Sequence, residues 1–543
     1  MSQFDSIILT LILLVPLGGA ILVVLAPDRA KLPNWIALIT SLVTFAFTLH
    51  LPTHFISGQP AFQFEVNSVW IANPAIFYHV GVDGLSMWLV VLTGLLAPVG
   101  VLASWNAIHT RRKLFYSLFL VQQTAIVGVF ISLDLMLYYG FWELSLVPMA
   151  ILIAMYGRKD GPKAALKFFL FTFIPSAPLL VAILWIYSRT GTFDFTVLQV
   201  ILTHGTLPPG AMFWCALAFL FAFAVKVPIF PFHGWLSDTF AEAPVAMAMV
   251  VAGKMGLYSL LRFHVGLFPA QSRVIAPLMI ALAVVGILYG ACVALAQQNF
   301  FRLLAFGAVS HFSVITLAIY GLTLMGWSGA VYQILILGVV EGAMFVLLGA
   351  LDSRYGTAEI AAYRGMAARL PRTATYFVIA ALTMIGLPLL GGFIGEFIIL
   401  STTFTQVSHG WAVAATVVVI LSASYMLWLV QRLFYGPEST LAAMPAPDLR
   451  FGELVALTPL ALLMLVMGVA PMLWLNSIQS GVHPPMQQTS STTNAVILSE
   501  SVDGQTGVSS DRSSSPGWQV EGPAVRLDGG NATNKFVTRE AQR

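Results

Sequence analysis

Apolar residues run along this chain in long blocks, with no alternation and no narrow helical stripe. Ile7 to Leu25, Leu85 to Leu102, Leu278 to Leu295 and Leu454 to Leu473 are nearly unbroken. Each is about as long as the ~20 residues a helix needs to cross a ~30 Å hydrocarbon core. Carried through the chain, the pattern predicts fourteen spans, at approximately 5–26, 33–52, 83–106, 114–132, 135–156, 164–187, 211–234, 242–264, 274–297, 303–322, 328–351, 373–402, 408–431 and 452–476. The expected fold class is an all-α polytopic membrane protein with the lipid bilayer as its solvent. No basic residue precedes the first span and no small-residue cleavage pattern follows it, so it reads as a retained span rather than a signal peptide. From about Gly481 onward Ser, Thr, Gly and Gln dominate, the composition of a disordered extension.

Composition agrees with the pattern. Hydrophobic residues make up 58% of the 543 and charged ones 9%, against about 25% charged in soluble domains. A net charge of +3 is too small to argue for a nucleic-acid partner. Cys215 and Cys292 lie in apolar spans without CxxC spacing, and both read as packing residues; no metal or cofactor site is predicted. The basic residues test the span count, because Lys and Arg collect in cytoplasmic loops. Loops after odd-numbered spans hold sixteen of them and loops after even-numbered spans three, when span ends are counted with their loops. Both termini are therefore expected on the non-cytoplasmic face, the periplasmic side of a bacterial inner membrane.

Five ionisable residues contradict their surroundings: Glu143 in span 5, Lys226 in span 7, Lys254 in span 8, Glu341 in span 11 and Glu396 in span 12. An ionised side chain at the bilayer centre costs ~2.5–3.5 kcal/mol on insertion scales, so such residues mark ion or proton paths unless they are structural salt bridges. Five on separate spans favour the path. His311 in span 10 lies between them and is a candidate relay; His233 is a weaker one, and His264 reads as interfacial. Two of the charged spans look broken. Pro228 and Pro231 follow Lys226 and should strip the carbonyls of Ala224 and Val227 of their helical donors, while Gly386-Leu-Pro388 precedes Glu396. Free carbonyls at membrane depth imply a hydrated cavity at each break. The breaks are five spans apart, consistent with two inverted repeats of five helices, spans 4–8 and 9–13. The chain then divides into N-terminal helices (1–110), a first repeat (111–270), a second (271–435), a final helix (436–480) and the polar tail (481–543).

Several strings carry a family resemblance: Tyr78-His-Val-Gly-Val-Asp83-Gly-Leu-Ser, Phe141-Trp-Glu143-Leu-Ser-Leu-Val-Pro148, Ala222-Phe-Ala-Val-Lys226-Val-Pro, His233-Gly-Trp-Leu, Glu242-Ala-Pro244 and Tyr425-Met-Leu-Trp-Leu-Val-Gln431-Arg432. From about residue 76 to 475 the chain resembles the antiporter-like subunit M (chain 4) of complex I, the NADH:quinone oxidoreductase. The resemblance implies a proton channel of two inverted repeats. Glu143 would tune Lys226 in the input half, Lys254 would be the central station, and Glu396 the terminal acid. It further implies that NADH, FMN, iron–sulfur clusters and quinone are bound by other subunits, with none in this chain. The implied partners are L- and N-type antiporter-like subunits and small membrane subunits.

The departures are specific. Gln298-Asn299-Phe300-Phe301-Arg302 replaces the family's Asp-Leu-Lys-Arg before span 10, and Leu337-Gly338 replaces a His-Gly pair in span 11. One turn further, Glu341 occupies a position where a small neutral residue is usual, on the same helix face as Leu337. Glu341 is therefore expected to take over the missing histidine's place. The segment from Pro244 to Lys254 is about three residues shorter than usual, as in a divergent copy. The rival readings are an Mrp-type cation/proton antiporter subunit and a non-pumping membrane scaffold.

Overall fold

The computed structural model describes residues 4–481 except 30, 60, 206, 251, 252, 443 and 445, and not the side chains of 248–250 and 253. The tail expected over 481–543 lies outside the described residues apart from Gly481, which ends the helix Met472–Gly481. The chain is a mostly helical, multi-pass membrane protein. Among the described residues, twelve helices are long and apolar enough to cross a membrane. The predicted spans at 242–264 and 373–402 are not among them, because both are interrupted. The first is the helix Val245–Val250, the helix Gly253–Ser259 and a wider π-helical turn, Leu260–Val265. The second is Pro371–Ile385 followed by Gly391–Thr402.

The break after Lys226 falls where the prolines put it. Helix Pro209–Lys226 stops, and the chain resumes helix at Gly234–Glu242. The expected free carbonyl at Ala224 is corrected, because the Ile229 N–H reaches it at 2.9 Å. The Trp235 indole N–H donates to the Val225 carbonyl at 2.9 Å, so protein groups repair much of what proline removed. In the second break Gly386 has φ +79° and closes the helix by donating to Leu382 and Thr383. A Cβ there would lie 2.8 Å from Glu396 Oε2, so the position needs glycine for its backbone and for the carboxylate beside it.

One short β-hairpin, which the hydropathy pattern does not predict, stands beside the helices. Strands β1 (Gln63–Ile71) and β2 (Ile76–Val82) form an antiparallel hairpin, paired from Gln63 with Val82 to Ile71 with Ile76. Only Phe64-Glu-Val-Asn alternates apolar and polar, a period-2 signal too short to register beside the apolar blocks.

Two helices form the centre. In Phe300–Tyr320 and Leu324–Tyr355 the most apolar window is 94% buried, against 28% in Phe451–Val469, which faces outward. Apolar side chains such as Trp214, Val274, Leu278 and Ile420 are exposed around the outside, as lipid requires. Cys215 is buried as a packing residue would be, whereas Cys292 is exposed.

Candidate functional site

Lys226 ends its helix beside the short break in predicted span 5, where Leu135–Leu144 gives way to Leu146–Tyr156 at Ser145. Its side chain is buried. Nζ donates to Ser145 Oγ at 3.0 Å and to the Trp142 carbonyl at 3.3 Å, and lies 3.9 Å from the Trp142 ring centroid. An ammonium over an indole face is attracted by the ring quadrupole. The expected partner is adjacent but unpaired: among the described residues no ion pair joins Glu143 to Lys226, and Glu143 Oε1 is buried without a hydrogen bond. The Ser176 and Tyr139 hydroxyls are the hydrogen-bonding neighbours of the carboxylate.

Lys254 is different. Its Nζ meets Glu341 Oε2 at 2.7 Å, with both side chains buried. The two charges come from helices far apart in sequence, and Gly338, one turn before Glu341, gives them room: a Cβ on it would lie 3.1 Å from Lys254 Cε. Gly256 does the same on the other side, since a Cβ there would sit 2.9 Å from the Val227 backbone nitrogen. That contact presses the segment bearing Lys254 against the end of the helix bearing Lys226. Glu341 is thus the direct counter-ion of the central lysine.

The third cluster joins His311, Glu396, Tyr425 and Gln333. His311 Nε2 lies 3.1 Å from the Tyr425 hydroxyl, and Nδ1 lies 3.1 Å from Glu396 Oε1, close enough for an ion pair but off the direction of a hydrogen bond. Gln333 Nε2 approaches the same oxygen at 3.5 Å. Gln333 and Glu341 are eight residues apart on one helix, ~12 Å at the α-helical rise. A single helix therefore touches both the central pair and the Glu396 cluster.

Other placements differ from expectation. His264 is fully buried, not interfacial, with Nδ1 3.1 Å from the Tyr320 hydroxyl and 3.2 Å from Ser272 Oγ. Arg262, counted above as a loop cation, is buried in the π-helical turn and pairs with Asp83 at 2.5 Å. Asp83 stands in one of the quoted strings, and a buried acid calls for a buried base; that was the available signal. Tyr425, Trp142 and Ser145 likewise stand in quoted strings, whereas Gln333 lies outside them and carries no charge to betray it. Asp238, after the first break, holds Lys167 at 2.7 Å and Arg302 at 3.0 Å.

Outside the spans, His79 on β2 bridges Asp194 at 2.6 Å and Glu65 at 2.7 Å. Burial alone would depress its pKa, but the two carboxylates outweigh it and raise the value to about 9.

A family described as NADH:quinone oxidoreductase/Mrp antiporter, TM, matches residues 132–422. NADH-quinone oxidoreductase subunit M of Rhodobacter capsulatus is 36% identical over 483 residues, covering 86% of this chain and 94% of that protein. The chain belongs to the subunit M (chain 4) family of NADH-quinone oxidoreductase. A second relative of the subunit M family, NADH-ubiquinone oxidoreductase chain 4 of Chondrus crispus, is 35% identical, covering 88% of this chain and 97% of that one. A chain of respiratory complex I from Thermus thermophilus superposes with TM-score 0.78 at 30% identity, covering 87% of this chain and 98% of that chain. A chain of the Mrp complex from Dietzia superposes with TM-score 0.76 at 20% identity, covering 88% of this chain and 97% of that chain, a likeness of fold.

Proposed function

We propose that this chain is a proton-translocating membrane subunit of an NADH:quinone oxidoreductase, with Glu143, Lys226, Lys254, Glu341, His311 and Glu396 as its stations. The observation that carries the reading is the succession of three buried polar sites, at Lys226, at Lys254–Glu341 and at His311–Glu396. A scaffold would have no need of three such sites buried among apolar helices. A proton entering from the cytoplasmic side reaches Lys226, whose affinity depends on whether the neighbouring Glu143 pairs with it. It moves on through Lys254, held by Glu341 in the role the family gives a histidine, and leaves through His311 and Glu396.

In this reading ten of the fourteen spans form two inverted five-helix repeats, 111–270 and 271–435, with the breaks at Pro228, Pro231 and Pro388 opening each half. Residues 1–110 and 436–480 flank them, and both termini face the periplasm of a bacterial inner membrane. The chain sits beside L- and N-type antiporter-like and small membrane subunits. Oxidation of NADH, with FMN, iron–sulfur clusters and quinone, belongs to other subunits and supplies the driving force. The shared fold favours one alternative, an Mrp-type antiporter subunit; co-purification of iron–sulfur and quinone-site subunits decides against it.

Reconstituted complex carrying Lys226→Ala should lose most of its proton pumping, and Glu341→Gln should lower the proton-to-electron ratio. Normal pumping with Lys226→Ala overturns the path. Unchanged stoichiometry and turnover with Glu341→Gln removes Glu341 from it.

A further inference from the structure

Gln123 lies on the helix Arg112–Ile131, 2% exposed, and neither Nε2 nor Oε1 has a hydrogen-bond partner. An amide buried with both polar atoms unsatisfied is rare, because each forfeits its hydrogen bond to water without replacement. The side chain borders a cavity of about 30 Å³ between the helices Met87–Ser104, Arg112–Ile131 and Gly253–Ser259. Lys254, Met255 and Thr93 border the same space. One water needs roughly 10–15 Å³ of such volume and two to four polar partners, so the cavity is large enough for a water and Gln123 supplies a donor and an acceptor. The Lys254 ammonium, bonded to Glu341 through a single contact, keeps further N–H groups for it.

We infer that this cavity is an internal water site, held by Gln123, that hydrates Lys254 on the side away from Glu341. The site deepens the proposed function and rests on it for its meaning: Lys254 has a polar alternative to its carboxylate. When the pair opens, the ammonium turns to water and the Gln123 carbonyl oxygen instead of bare hydrocarbon. Gln123 acts as a positioning residue, through the water and not on the proton path itself.

The test is radiolytic hydroxyl-radical footprinting of the purified complex, which oxidises methionine sulfur beside bound water. Met255 borders the cavity and is 2% exposed; Met149 is equally buried and does not border it. In the wild type Met255 should be oxidised at least fivefold faster than Met149, and Gln123→Leu should bring it to the Met149 rate. Equal rates in the wild type mean a dry cavity and overturn the inference, even if Gln123→Leu does not assemble. Fast Met255 oxidation unchanged by Gln123→Leu removes Gln123 from the site. The readout is independent of pumping, so loss of the proton path with Met255 still oxidised would count against the proposed function and not against the water site.

Discussion

Lys226 and Lys254 are both buried lysines in one membrane protein, and they are held in opposite ways. Lys226 rests on a hydroxyl, a carbonyl and an indole face, with its carboxylate neighbour unpaired. Lys254 is bonded directly to a carboxylate. Two unit charges ~4 Å apart attract by ~4 kcal/mol at an effective dielectric of ~20. Forming or breaking the Glu143 pair therefore changes how strongly Lys226 holds its proton, whereas Lys254 already has that attraction. One lysine is poised before the switching contact and the other after it. In the proposed path the same residue type would serve as an adjustable station or a locked one, according to what stands beside it.

The largest effect expected from breaking this contrast is at Glu341. Glu341→Leu leaves the Lys254 ammonium buried without its counter-ion, with only the Gln123 cavity to turn to, and should destabilise the assembled subunit by up to ~3–5 kcal/mol, read by thermal unfolding of the complex; adding Lys254→Met should restore most of it. If the single variant is as stable as the wild type, Lys254 is not locked. A smaller effect belongs to His79. Its folded-state pKa is raised from 6.5 to about 9, so its contribution is fully present below pH ~6.5 and is lost as pH rises through 9. Glu65 is half-exposed, which limits the loss to roughly 1–2 kcal/mol. His79→Gln should flatten the unfolding profile between pH 6 and 9.5. The smallest change in stability, within ~0.5 kcal/mol, is expected for Glu143→Gln, because no closed ion pair is lost. Proton pumping in that variant should nevertheless fall several-fold, and normal pumping would erase the difference between the two lysines.

Much of this was readable from the chain. Apolar blocks located the helices, and the charges at Lys226, Lys254, Glu341 and Glu396 could be recognised by their cost in lipid. The prolines at 228 and 231 located the first break. Pairing was not readable, because Lys254 and Glu341 are 87 positions apart and every buried acid competes for every buried base. Hydropathy also hid the interruption at 242–264, where no proline falls between Val245 and Val265, the burial of Arg262, which a span-end count assigns to a loop, and that of His264, whose place near a span end reads as interfacial. The repair of the Ala224 carbonyl depended on backbone geometry that proline spacing alone does not fix.

The Lys254–Glu341 contact also has a consequence for descent. Losing the glutamate alone leaves an uncompensated charge buried in the protein, so a chain that carries this pair is expected to give up Glu341 only when Lys254 has gained another partner or has itself changed. A lineage that gained the glutamate beside a lysine already in place gained its counter-ion in one step. A relative that keeps the lysine without this glutamate must neutralise it from another helix.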